Sequence, residues 1–381
     1  MTVVFPYRIV VSCCALCVVG APALAPHPVA AQVRTEPAAP APAASQKPLL
    51  YRSGTQVRLR PGVPEVPDVS ALSWLVADAG TGDVLAAYDA HRPLPPASTL
   101  KTLFALTVLP ALPRESRHTV TQRELAGIGP GSSLVGIREG LTYRVADLWK
   151  GVFLNSGNDA VHVLAALNGG WRTTARQMQA KARALGALDT HVVSPDGYDA
   201  PGQVSSAYDL AVFGRAGLHN ADFARYCSTA ESSFPGDGAP YEIANTNRLL
   251  TGNNGVAAYP GLIGIKNGYT SGAGHTLVAA ARRDGRTLVV TVMNPQQRGG
   301  FTVYEEARRL LDWGFATAGH IAPVGTLLPP RPAVPKIAPV TATKSDDDWP
   351  GAGTIAGVVG AGAGALALAL RLKGGGRSAR R

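Results

Sequence analysis

Strand-like sequence occurs at two places far apart in this chain, and that separation decides most of what it can become. Residues 73–78 and 84–89 are apolar segments around a turn that holds Gly80 and Gly82, so they predict a hairpin. Residues 261–266, 275–282 and 287–294 predict three more strands, with turns at 267–274 and at Asp284-Gly285. Between the two groups, residues 145–153, 159–167 and 173–185 show the apolar spacing of helices, divided by loops rich in Gly, Pro and Asn. A further helix is expected over 98–109, which Pro110 stops, and a last one from about Thr302 to Thr317. An isolated hairpin is marginal in water, so the early strands must join the late ones. The fold class predicted is α+β: an antiparallel sheet of about five strands assembled from both ends, flanked by helices, with a mostly helical insertion.

The folded region is narrower than the 381-residue chain. After Arg8, residues 9–24 are apolar and are followed by small residues ending at Ala31; the pattern predicts a signal peptide over 1–31. Residues 351–370 carry no charge and are long enough for one membrane span, and the basic residues of 371–381 predict a cytoplasmic tail with the body outside. Residues 32–70 and 321–350 hold seven prolines each and predict extended spacers, leaving 71–320 as the folded domain.

That division redistributes the net charge of +10. Arg8 and five basic residues beyond Gly351 carry six positive charges and no acids, so residues 32–350 hold 30 basic against 26 acidic side chains. A nucleic-acid partner loses its electrostatic basis. Four cysteines are too few for a disulfide-framed miniprotein, and three of them (Cys13, Cys14, Cys17) lie in the expected signal, so the exported body keeps only Cys227 and no internal disulfide. None of the eight histidines falls in an H-E-x-x-H pair, and neither metal nor cofactor is called for.

Three short motifs carry chemistry. Ser98-Thr99-Leu100-Lys101 sets a hydroxyl and an amine one helical turn apart; an alcohol becomes a nucleophile when a neighbour takes its proton, and a lysine does this when burial or nearby positive charge depresses its pKa. Ser156-Gly157-Asn158 lies in a polar loop between two helices, where Ser156 can relay a proton and Asn158 can bind a substrate carbonyl or the Lys101 side chain. Lys266-Asn267-Gly268-Tyr269-Thr270 ends a predicted strand: Lys266 offers charge to a carboxylate, Gly268 lets the backbone lie close to substrate, and the next N–H can face a developing oxyanion. Each motif alone also fits a helix cap or a turn.

In this order, on helix, loop and strand, the motifs resemble the three signatures of penicillin-binding proteins and serine β-lactamases. Residues 96–101, 156–160 and 264–270 are most similar to the low-molecular-mass D-alanyl-D-alanine carboxypeptidases, as are 194–197 ahead of 205–210. The resemblance implies a β-lactamase/transpeptidase-like fold and an acyl-enzyme on Ser98. Lys101 would be the general base and Ser156 the proton relay. Asn158 and Lys266 would bind substrate, with the backbone N–H groups of Ser98 and Tyr269 as the oxyanion hole. It implies peptidoglycan stem peptides ending in D-Ala-D-Ala as substrate, β-lactams as inhibitors, and a membrane anchor. Asn267 departs from the Thr or Ser usual in the third motif, and Thr270 is the hydroxyl expected to stand in for it. The same motifs serve D,D-endopeptidases, transpeptidases and β-lactamases, and a non-catalytic wall-binding or β-lactam-sensing module; residues 186–205 lack the Glu that a class A β-lactamase needs.

Overall fold

A computed structural model describes residues 48–329. The segments expected to be signal peptide, anchor and tail, and most of both spacers, lie outside the described residues. The compact unit ends at Leu327, and beyond it only Leu328 and Pro329 are described.

The unit is organised around an antiparallel sheet of seven strands: β1 (Thr55–Val57), β2 (Ala71–Asp78), β3 (Asp83–Tyr88), β4 (Leu262–Thr270), β5 (Gly274–Arg283), β6 (Arg286–Pro295) and β7 (Gly325–Thr326). Their order is β1-β3-β2-β6-β5-β4, with β7 also on β3. The two ends of the chain meet where β2 pairs with β6, Val76 opposite Val290. The tight turns are local chemistry. Asp78 Oδ1 accepts from the N–H groups of Gly80 and Thr81 in the β2–β3 turn, and Asp284 and Gly285 both adopt positive φ in the β5–β6 turn, as a two-residue Asp-Gly hairpin requires.

Both faces of the sheet are covered, so its central strands are almost continuously apolar. Alternate residues go to different cores. Trp74, Val76, Leu288, Val290 and Val292 pack with Val303, Leu310, Leu311 and Trp313 of the C-terminal helix, whereas Leu75, Ala77, Val278 and Val289 face the helical middle. In chain order the helices are α1 (Lys101–Val108), α2 (Val145–Leu154), α3 (Asn158–Leu167), α4 (Trp171–Ala184), α5 (Ala207–Leu218), α6 (Ala221–Cys227) and α7 (Thr302–Thr317), with shorter turns between them. Among the described residues no helix is long and apolar enough to cross a membrane.

Three expectations are corrected. The sheet has seven strands, not about five, because β1 and β7 come from segments expected to be spacers. Leu50 is buried, Trp313 Nε1 donates to Pro64 O at 3.0 Å, and Ser70 donates twice to Glu306 Oε1 at 2.6 Å. Proline lacks an N–H but keeps its carbonyl, and it is carbonyls such as those of Pro64 and Pro323 that tie these segments down. Second, residues 267–270 continue β4 and do not begin a turn: Asn267 pairs with Leu277 and Gly268 with Thr276. Third, the helix expected over 98–109 does not begin as an α-helix at Ser98. Ser98 sits in a 3-10 turn, Ala97–Leu100, that runs into α1.

Candidate active site

The 3-10 turn is held by its neighbours rather than by propensity. Pro96 O accepts from Thr276 Oγ1 of β5 at 2.9 Å and from Thr99 Oγ1, and Ala97 is forced to φ +49°, a region uncommon for a residue with a β-carbon. Two glycines clamp the turn. A β-carbon on Gly197 would stand 2.1 Å from Ala97 O, and one on Gly268 would stand 2.7 Å from Ser98 N. From Pro96 to Ala105 every residue is buried except Ser98, whose hydroxyl faces a cleft of about 260 Å³.

Lys101 lies directly beneath it. The side chain is 1% exposed, and Nζ donates to Ser98 Oγ at 2.7 Å and to Asp196 O at 2.6 Å. Burial lowers its pKa to about 8, against the opposing pull of Asp196 and Asp159. Lys266 is 2% exposed; its Nζ donates to Asn267 O at 2.9 Å, and burial together with the charge of Lys101 holds it well below the ordinary lysine value. Burial penalises the charged form of both amines, and the charge of Lys101 adds to this at Lys266, so part of Lys101 is neutral amine near neutral pH.

The second motif arrives on the loop between α2 and α3. Ser156 takes φ +57° and is buried, with Oγ unpartnered within the protein. Asn158 opens α3: Nδ2 donates to Ser132 Oγ at 3.0 Å, while the buried Oδ1 has no protein partner. The amide therefore engages Ser132 and not Lys101. Asp159 fixes this corner by accepting from the N–H groups of Val135, Gly136, Ile137 and Ala160 at 2.8–3.0 Å, which anchors the segment whose residues 130–133 form one wall of the cleft.

In the third motif Tyr269 and Thr270 line the cleft; Tyr269 is 62% exposed, and its ring packs on that of His275 with centroids 4.6 Å apart. The expected substitution of Thr270 for the missing hydroxyl is not what the structure shows. Thr270 lies three residues beyond Asn267 on an extended strand, about 10 Å along it, and its hydroxyl donates to Asp199 Oδ1 at 2.7 Å. Asn267 turns its Oδ1 to Thr246 Oγ1 at 3.0 Å in a neighbouring recess.

A sequence profile of D-alanyl-D-alanine carboxypeptidases (peptidase S11) matches residues 61–297. The chain belongs to that family. A D-alanyl-D-alanine carboxypeptidase of Mycobacterium tuberculosis is 41% identical over 265 residues, covering 69% of this chain and 88% of the relative. The crystal structure of a D-alanyl-D-alanine carboxypeptidase from M. tuberculosis H37Rv matches with a TM-score of 0.64 at 39% identity, covering 70% of this chain and 98% of that one. The Streptomyces K15 DD-transpeptidase matches at 0.61 and 26%, covering 66% and 100%. Peptidase S11 enzymes work through a serine acyl-enzyme on peptidoglycan peptides ending in D-Ala-D-Ala, act outside the cytoplasm, and bind β-lactams.

In this D-alanyl-D-alanine carboxypeptidase family member the motif residues Ser98, Asn158, Tyr269 and Thr270 all line the one cleft, with Lys101 and Lys266 beneath it. Sequence reasoning missed Ser132, Ser133 and Tyr198 as walls, Asp199 as a tether, and the Asp196 carbonyl as the second acceptor for Lys101. A Gly-Pro-Gly run at 129–131 was the only local signal for the first wall. A groove of about 670 Å³ between the β2–β3 and β5–β6 turns lies at the opposite end of β5 and contains no motif residue. Cys227 is buried away from the cleft, its thiol pushed up to about 12 by burial. Among the described residues no group of three or more His, Cys, Asp or Glu side chains is placed to hold a metal ion.

Proposed function

We propose that this protein removes the terminal D-Ala from peptidoglycan stem pentapeptides through an acyl-enzyme on Ser98. The observation that carries the reading is the 2.7 Å contact between Ser98 Oγ and a buried, pKa-depressed Lys101 at the floor of an open cleft. In its neutral form Lys101 takes the Ser98 proton as Oγ attacks the penultimate D-Ala carbonyl. The strand passes so close to Ser98 at Gly268 that the Ser98 and Tyr269 N–H groups are the natural donors to the oxyanion. Lys101 passes the proton through Ser156 to the departing amine; the otherwise unpartnered Ser156 Oγ suits a relay. Asn158 Oδ1, equally unpartnered, accepts from the substrate amide, and the entering terminal carboxylate favours the protonated form of the buried Lys266 and pairs with it. Water then releases the acyl group.

The loop after the second motif argues against a class A β-lactamase. The carboxylates of 186–205, Asp189, Asp196 and Asp199, are engaged by His91 and Ser206, by Ser194 and Tyr198, and by Thr270 and Gly272, and the segment has no Glu. Transfer to an acceptor amine is a second reading, which the likeness to the Streptomyces K15 DD-transpeptidase supports. We also propose, from the sequence alone, export by residues 1–31 and anchoring by 351–370 with residues 371–381 inside. Retention of the full chain in carbonate-washed membranes, and its loss on truncation at 350, tests the anchor.

The deciding experiment is D-Ala release from a pentapeptide with and without an acceptor amine, alongside fluorescent-penicillin labelling. Label and release should both vanish in Ser98→Ala. A label that survives that change, or its absence from the wild type, overturns the reading; conversion of the product to a transfer adduct at low amine favours the transpeptidase.

A further inference from the structure

We infer that the outer face of α4, together with the loop that follows it, docks on an anionic phospholipid surface. The inference is independent of the chemistry at Ser98.

α4 contains Arg172, Arg176, Lys181 and Arg183 and no Asp or Glu. Helices α2, α5, α6 and α7 all carry carboxylates among their cations, as Asp147 beside Lys150 and Asp222 beside Arg225 show. The inner face of α4, with Thr174, Ala175, Met178 and Ala182, is buried against α1 and α3. At about 100° per residue, Arg172, Arg176 and Arg183 fall within about 40° of one another on the opposite side, in a row about 16 Å long. All three are exposed, and among the described residues none of the four cations forms an ion pair.

Such a row attracts polyanions in general, and guanidinium groups match phosphate in particular. What selects a membrane is the flank of the row. Gln179, between Arg176 and Arg183, accepts from the Val192 N–H at 2.9 Å and donates to Thr190 O at 2.9 Å, which ties the following segment back along the helix. That segment presents Leu188, 72% exposed, and Val193, 38% exposed. Its one carboxylate, Asp189, is turned away from the row onto His91 and Ser206. Apolar side chains beside arginines suit phosphate headgroups laid over hydrocarbon, whereas a soluble polyanion gains nothing from Leu188.

The test treats the full chain, bound to vesicles, with phenylglyoxal and reads the modification of each arginine by mass spectrometry. Phosphatidylglycerol vesicles are compared with phosphatidylcholine vesicles, so that any attachment common to both cancels. Each basic residue adds about fivefold to binding at an anionic surface. Arg172, Arg176 and Arg183 should therefore react at least about threefold more slowly on phosphatidylglycerol, while Arg138 and Arg282, exposed on other segments, change little. In 1 M salt, where the screening length is about 3 Å, the difference should disappear. Leu188→Ser should bring it below about twofold on vesicles and leave any protection by inorganic polyphosphate unchanged. Equal reactivity on the two vesicles overturns the docking face, as does protection that survives in salt or extends equally to Arg138 and Arg282. Protection by polyphosphate as strong as that by phosphatidylglycerol, and indifferent to Leu188→Ser, assigns the face to a soluble polyanion and overturns the membrane. Should Leu188→Ser fail to fold by its melting curve, the two vesicles and polyphosphate decide alone.

Discussion

Gly268→Ala tests how the third motif meets the nucleophile. The added β-carbon would lie 2.7 Å from Ser98 N, 2.7 Å from Thr276 Oγ1 and 3.0 Å from the Ala97 β-carbon, where ordinary contact begins at 3.4 Å. Something must move by about 0.7 Å to restore ordinary packing distances. The turn has little room to yield: Ala97 already sits at positive φ with its carbonyl against Gly197, and Thr276 is committed to Pro96 O. The strand therefore lifts, taking the Tyr269 N–H away from the carbonyl it should polarise. A misplacement of 1 Å costs on the order of 100-fold in rate, so 0.7 Å predicts a loss of roughly 20- to 100-fold. Overpacking costs about 1–3 kcal/mol, which in a domain of this size lowers Tm by about 2–12 °C. The acylation rate with fluorescent penicillin, read beside a melting curve, separates the two effects. A folded Gly268→Ala that acylates within about threefold of wild type, far short of the loss expected for such a displacement, would refute the idea that this close approach aligns the site.

Two other outcomes follow from the geometry. With the Lys101 pKa lowered to about 8, the neutral amine that accepts the Ser98 proton increases about tenfold per pH unit below that value and levels off above it. Acylation rates between pH 6 and 9.5 should rise and then plateau, and a profile still climbing toward the ordinary lysine value of 10.5 would remove Lys101 from the role. Asp159→Asn replaces one of two acceptor oxygens, each taking two N–H groups, with a donor facing donors. It should cost about 2–4 kcal/mol by thermal or urea unfolding, and a change under about 0.5 kcal/mol would show that residues 132–137 are held by other means.

What could be read from the sequence depended on how far apart the cooperating residues lie along the chain. Ser98 and Lys101 are three residues apart, and their spacing alone implied the contact that the structure places at 2.7 Å. Asp284-Gly285 announced its hairpin because the turn is contained in two residues. Asn267-Gly268 looked like a turn for the same local reason and proved to be strand, since its partners Leu277 and Thr276 arrive on another segment and override propensity. The fate of the Thr270 hydroxyl was beyond local reading, because Asp199 lies 71 residues away. Nor do the three residues of β1 or the two of β7 carry a strand signal of their own; they become strand where β3 offers them an edge.

That shared edge governs where anything can be attached. β1 and β7 lie along the same side of β3, against Ala86–Tyr88 and Asp83–Val84, so both ends of the unit leave from one margin of the sheet. The β4 strand that lines the cleft forms the other margin, five strand spacings or about 24 Å across. A tether at either end holds this unit like a flag by its hoist, with the working margin at the fly. Reporter proteins or surface linkages fused at residue 48 or 327 would thus be carried on the side away from the cleft.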